Sequence, residues 1–239
     1  MTLNTGAKLG NQAKQPASVE QADEFIGLTH EVARAWARRV KPDYRFVLHR
    51  LMQAIAPQPG DHVLDLGLVD ATLALQLVSH IKPGQVTCLC PTEASIQQAY
   101  KQAQAVGLEE QIDWRLAPIA QLPFPNASFD LVTCSLSFRW LPANTLIREA
   151  YRLLVPGGRL VIAEFLIPLS RVTDWRLWVR SRFYKHLARN PLEAQATFYS
   201  ADQLADLLRK VGFAPVVIQG LHKPKTKYSW TFSLIKAVK

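Results

Sequence analysis

From residue 60 onward, short apolar runs take turns with amphipathic stretches, and nothing else in the chain restricts its fold as tightly. "HVLDLG", "QVTCLC", "IDWRLA", "FDLVTCSLSF" and "RLVIAEFL" have the length and apolar density of buried strands. Between them, "ATLALQLVSHI", "EASIQQAYKQAQAVG" and "PANTLIREAYRLL" repeat their apolar residues at helical spacing. Pro83-Gly84, Gly107 and Pro156-Gly157-Gly158 stand where those helices should stop. Strands joined by helix-length crossovers predict a parallel sheet covered on both faces. The last part departs from this pattern. "YSADQLADLLRKVGF" is a helix with Ser200 or Asp202 as N-cap and Gly212 as stop. "APVVIQGL" and "SWTFSLIKAV" follow it, two strand-like runs suited to an antiparallel edge.

The 239 residues suit one α/β domain with additions. Residues 1–20 are expected to be a polar leader and 21–239 a single domain. Within it we expect N-terminal helices over 22–56, broken at Pro42, a core over 60–170, a helical insert over 171–196, and a closing helix and hairpin over 197–239. The N-terminus lacks the apolar core of a secretory signal, and no apolar run is long enough to span a bilayer. Cys88, Cys90 and Cys134 all fall in strand-like runs. Together these point to a cytoplasmic protein with reduced, buried thiols, no disulfide framework and no metal. The net charge of +9 favours anionic partners without choosing among them.

Several segments resemble one family. "LPFPNASFDLV", "REAYRLLVPGGRLVIAEF" and "LLRKVGF", in this order and spacing, resemble class I S-adenosylmethionine (SAM) methyltransferases, most closely those that C-methylate ubiquinone and menaquinone precursors and their small-molecule relatives. The resemblance covers about residues 43–239. It implies a Rossmann-like sheet of seven strands, mostly parallel with an antiparallel last strand, and a ligand at the carboxyl ends of the central strands.

Read against that family, three loops depart from the cofactor pattern. "DLGLVDA" keeps Asp65 and Gly67 but puts Val69 and Ala71 where the family has its second and third glycines. Val69 brings two methyl groups where close backbone approach is needed. Asp70 adds negative charge beside the place of the cofactor carboxylate, and it is also a natural N-cap for the next helix. After the second strand the family has an acidic residue that holds the ribose hydroxyls. Cys90 stands there, a poor acceptor, and Glu93 would reach back only from a different loop. Counting back from "LPF", the family's Asp for the adenine amino group falls on Pro118, which has no side-chain acceptor.

On the acceptor side, Ser135, Ser137, Phe138, Arg139 and Trp140 follow the fourth strand and are pocket candidates. Arg139 sits where the quinone group has an Arg, and its forked guanidinium suits an acceptor oxyanion or, equally, a structural carboxylate. Glu164 closes the fifth strand as a candidate base or a structural group. The insert "RVTDWRLWVRSRFYKHLAR" places Trp175 and Phe183 on one helical face beside a basic stripe, with Trp178 and His186 nearby. Such a helix fits a lid over the acceptor, packing on the domain, or contact with an anionic membrane surface. His186 is a further candidate base.

Three readings remain open. In the first, the fold no longer uses SAM in the ordinary way, and the protein is a pseudoenzyme, an accessory factor or an enzyme for other chemistry on an aromatic or quinone-like molecule. No cofactor is expected then, and a protein partner or homodimer is compatible with it. In the second, it is a working small-molecule methyltransferase with a remodelled SAM loop. In the third, it is a basic module for anionic lipid or nucleic acid, although no nucleic-acid motif is present.

Overall fold

The computed structural model describes residues 44–66, 71–90, 93–117, 122–167, 196–221 and 231–239. Helix α1 (Tyr44–Ile55) leads into β1 (His62–Asp65), α2 (Thr72–Ile81), β2 (Gln85–Cys90), α3 (Glu93–Gln104) and β3 (Ile112–Leu116). Next come β4 (Phe129–Ser135), α4 (Ala143–Leu153), β5 (Leu154–Leu166), α5 (Ala201–Val211), β6 (Val216–Gly220) and β7 (Thr231–Val238). The seven strands form one sheet in the order β3-β2-β1-β4-β5-β7-β6. β1 pairs in parallel with both β2 and β4, and β7 runs antiparallel to both β5 and β6. The sheet is therefore parallel except for β7, as the alternation and the resemblance imply.

Period-two alternation divides the core between the two faces. Val63, Val86, Cys88, Cys90, Val161 and Phe232 pack with Leu51 and Ile55 of α1 and with Leu73 and Leu77 of α2. Leu64, Leu89, Val132, Leu160 and Ile235 pack on the other face with α4 and α5. Helix α4 shows why it lies there: Ala143, Leu146, Ile147, Ala150 and Leu153 are buried at helical spacing. At the start of α5, the Ser200 hydroxyl accepts from the Gln203 amide and the Gln203 side chain from the Ser200 amide, a complete capping box. Gly212 ends the helix with φ of +118°.

Three local expectations are corrected. The fourth strand ends at Ser135 rather than at Phe138, and Phe138–Trp140 form one tight 3-10 turn. Leu136, at φ of +57°, turns the chain out of the extended conformation. Pro156-Gly157-Gly158 is not a plain turn after α4, because β5 begins directly at Leu154. Its pairing with β4 jumps from Phe129–Leu154 to Leu131–Arg159, so the triplet bulges out of the ladder. The displaced amides are still satisfied, with Gly157 N–H donating to Lys239 O and Lys239 N–H to Gly158 O, both at 2.9 Å. Finally, Ala71 and not Asp70 holds the N-cap position of α2, with no side-chain cap. The leader, the helix over 22–40, all but the last residue of the insert over 171–196 and the 222–230 connection lie outside the described residues.

Candidate active site

The site is the rim formed by the carboxyl ends of β1, β2, β4 and β5, where ligands bind open α/β sheets. Asp65 closes β1 and is buried, and Thr133 of β4 donates to its Oδ1 at 2.6 Å. The next described residue, Ala71, has its amide satisfied from another helix: Gln102 Oε1 of α3 accepts it at 3.2 Å. That contact explains how α2 starts without a cap of its own. Sequence reasoning missed Gln102, since nothing in "EASIQQAYKQAQ" marks one glutamine as facing the neighbouring helix.

Cys90 closes β2, buried, on the same face of the strand as Cys88. A hydrogen bond with the Cys88 thiol holds the Cys90 thiol below its usual range, Ser95 adds to this, and burial and the charge on Asp65 oppose it. Glu93 is exposed in the first turn of α3. Gly67, Val69, Asp70 and Pro118 lie outside the described residues.

Beyond Pro118, the loop returning to β4 is tied to α4. Arg152 donates to Leu122 O at 3.1 Å, to Phe124 O at 2.8 Å and to Asn126 Oδ1 at 2.9 Å. It also forks onto Glu149, whose Oε2 accepts the Leu122 amide at 3.1 Å. The hydrogen bonds from Arg152 keep the Glu149 carboxyl below the ordinary carboxylate range. In the sequence this pair was visible only as two charges three apart on a helix.

The acceptor-side candidates separate into two groups. Ser137 and Phe138 are fully buried, and Phe138 packs edge-on against Tyr199 with ring centroids 5.7 Å apart. Ser135 is half-buried at the end of β4. The Ser137 hydroxyl lies 3.3 Å from Cys134 Sγ, and burial pushes the Cys134 thiol far up. Arg139 and Glu164, by contrast, are brought together. Both side chains are buried, and Arg139 Nη2 donates to Glu164 Oε1 in a close ion pair. Glu164 also accepts the Arg139 amide at 3.2 Å and the Phe165 amide at 2.7 Å. The guanidinium lies 4.9 Å from the Trp140 ring centroid, 5.4 Å from that of Phe165 and 5.9 Å from that of Phe198. The segment 196–200 closes on this group: Thr197 N–H donates to Arg139 O at 2.7 Å, and Ile167 N–H to Tyr199 O at 3.0 Å. Trp175, Trp178, Phe183 and His186 lie outside the described residues.

Among the described residues, no cluster of three or more His, Cys, Asp or Glu side chains could hold a metal ion. Nor is any described helix long and apolar enough to cross a membrane.

A methyltransferase-domain family model matches residues 64–162, from β1 into β5. The chain is similar to the 2-phytyl-1,4-naphtoquinone methyltransferase of Synechococcus elongatus, 31% identical over 160 residues that cover 64% of this chain and 68% of that protein. The chain belongs to the class I SAM-dependent methyltransferases. It is also similar to the ubiquinone/menaquinone biosynthesis C-methyltransferase of Cereibacter sphaeroides, 26% identical over 196 residues, 73% of this chain and 76% of that one. Among solved structures, the 4+2 cyclase SpnF shares the fold with a TM-score of 0.64 at 17% identity, covering 81% of this chain and 79% of that one. Membership brings SAM as the family's cofactor. At the end of β2, where the resemblance places the ribose-holding carboxylate, stands the buried thiol of Cys90.

Proposed function

We propose that this methyltransferase-family chain keeps the acceptor half of its site for a small aromatic or quinone-like molecule and has given up ordinary SAM binding. It then acts as a non-methylating accessory protein or on other chemistry in the same cleft. The observation that carries this reading is Cys90. It is buried at the end of β2, its thiol engaged by Cys88 and Ser95, and offers a weak acceptor to a diol that needs a strong one. Val69, Ala71 and Pro118 support it as sequence departures at the two other cofactor loops. On the acceptor side, Arg139, Glu164 and the rings around them form an ordered wall at the ends of β4 and β5, which supports a retained ligand site.

Calorimetric titration with S-adenosylhomocysteine tests the proposal. Wild-type protein is expected to show no micromolar binding. Cys90→Asp is expected to gain about tenfold, the order of one hydrogen bond to a charged group.

Family membership and the quinone-methyltransferase relatives favour a second reading, an active enzyme with a remodelled cofactor loop. In that case Arg139 would stabilise an acceptor oxyanion, with Glu164 or His186 as base. Glu164 suits the role badly, since its two oxygens are already taken by three donors. Transfer of label from methyl-labelled SAM to a quinol would establish this reading instead.

A further inference from the structure

Glu164 and Arg139 stand at the ligand end of the sheet, and each is too deeply buried for solvent to screen its charge. A lone guanidinium in this place would set up a positive field along the acceptor wall. The ring faces of Trp140, Phe165 and Phe198 tolerate such a cation but do not neutralise it. Glu164 does. Its two oxygens take the guanidinium, the Arg139 amide and the Phe165 amide, so the carboxylate is fully committed within the wall. Asp65, across the rim at the end of β1, adds a further negative charge and is buried as well. The rim of the described site therefore carries one buried cation and two buried carboxylates, and its field does not favour an anion.

We propose that Glu164 is a specificity-determining residue: by cancelling Arg139 inside the wall, it makes the acceptor side select uncharged flat aromatics over anionic ones of the same size. This rests on the reading that the cleft takes an aromatic ligand. The mechanism is electrostatic and needs no contact between Glu164 and the ligand. In a partly desolvated cleft a single buried charge acts over several ångströms. The charge preference then comes from the pair. A chain carrying Arg139 without Glu164 would show the opposite preference from an otherwise identical wall.

The experiment is an equilibrium titration by ligand-observed NMR with naphthol, uncharged at neutral pH, and naphthoate, an anion of similar size. Four proteins are compared: wild type, Glu164→Gln, Arg139→Gln and the double variant. Wild type is expected to prefer naphthol. Glu164→Gln should tighten naphthoate about tenfold, as an uncompensated buried cation would, with naphthol nearly unchanged. Arg139→Gln should weaken naphthoate further, and the double variant, again without net charge in the wall, should return to the wild-type ratio. If Glu164→Gln does not fold, the contrast between Arg139→Gln and the double variant carries the same test. Binding of naphthol with an identical naphthol-to-naphthoate ratio in every folded variant overturns the role of Glu164 and leaves the aromatic cleft standing. Binding of neither compound to any of the proteins overturns both.

Discussion

Cys90 ends β2 and Glu164 lies two residues before the end of β5, at the same rim of one sheet; they are 1% and 2% exposed, yet they are buried by different means. Cys90 is a small, weakly polar group whose neighbours are another thiol, a serine and aliphatic side chains. Glu164 is a charge, and it is buried only because three donors surround it, one of them the Arg139 guanidinium and two of them backbone amides. A neutral thiol can be tucked into a core with little arrangement around it, whereas a carboxylate demands a built environment. At this rim the end of β2 therefore carries a weakly polar group with little built around it, while the pair near the end of β5 sits in a costly and ordered polar environment.

The largest effect should come from breaking the built half. Arg139→Ala leaves the Glu164 carboxylate buried without its cation and should cost about 3–5 kcal/mol in denaturant unfolding. The boundary between the halves is the loop clamped by Arg152. Arg152→Ala removes hydrogen bonds to two carbonyls, Asn126 and Glu149, and should cost about 2 kcal/mol. Cys90→Ala, at the end of β2, should cost about 1 kcal/mol by the same measurement. A cost for Cys90→Ala equal to that of Arg139→Ala would dissolve the contrast.

The smallest effect concerns pH. Glu149 is held below the ordinary carboxylate range by Arg152, so it binds its proton less readily folded than unfolded. Its contribution to stability is present at neutral pH and above the ordinary carboxylate value, and drains as pH falls through the depressed one. Glu149→Gln should flatten the acid limb of the stability profile by a fraction of a kcal/mol, because the pair is partly solvated.

The fold was readable because its signals are local and repeated. Alternation gave the five parallel strands, the helix stops fell at Gly and Pro, and Ser200 and Gly212 bound α5 as their chemistry requires. Errors arose where a tertiary contact replaced a local signal. Gln102 serves the start of α2 from a separate helix, and the pairing of Gly157 and Gly158 with Lys239 makes a bulge out of an apparent turn. At the site, the sequence singled out Arg139 and Glu164 only as candidates, each with a structural alternative. It did not show them joined, since residues 25 apart carry no sign of mutual contact until β4 and β5 are aligned. The Arg152 clamp stayed hidden for the same reason, as its partners lie in the loop before β4.

The most direct test of the central claim is calorimetric titration of the wild-type protein with SAM. No saturable heat is expected at micromolar ligand if the buried Cys90 thiol at the end of β2 leaves the ribose without a strong acceptor. A one-to-one isotherm with a micromolar Kd would contradict it and make this chain a methyltransferase in the ordinary sense.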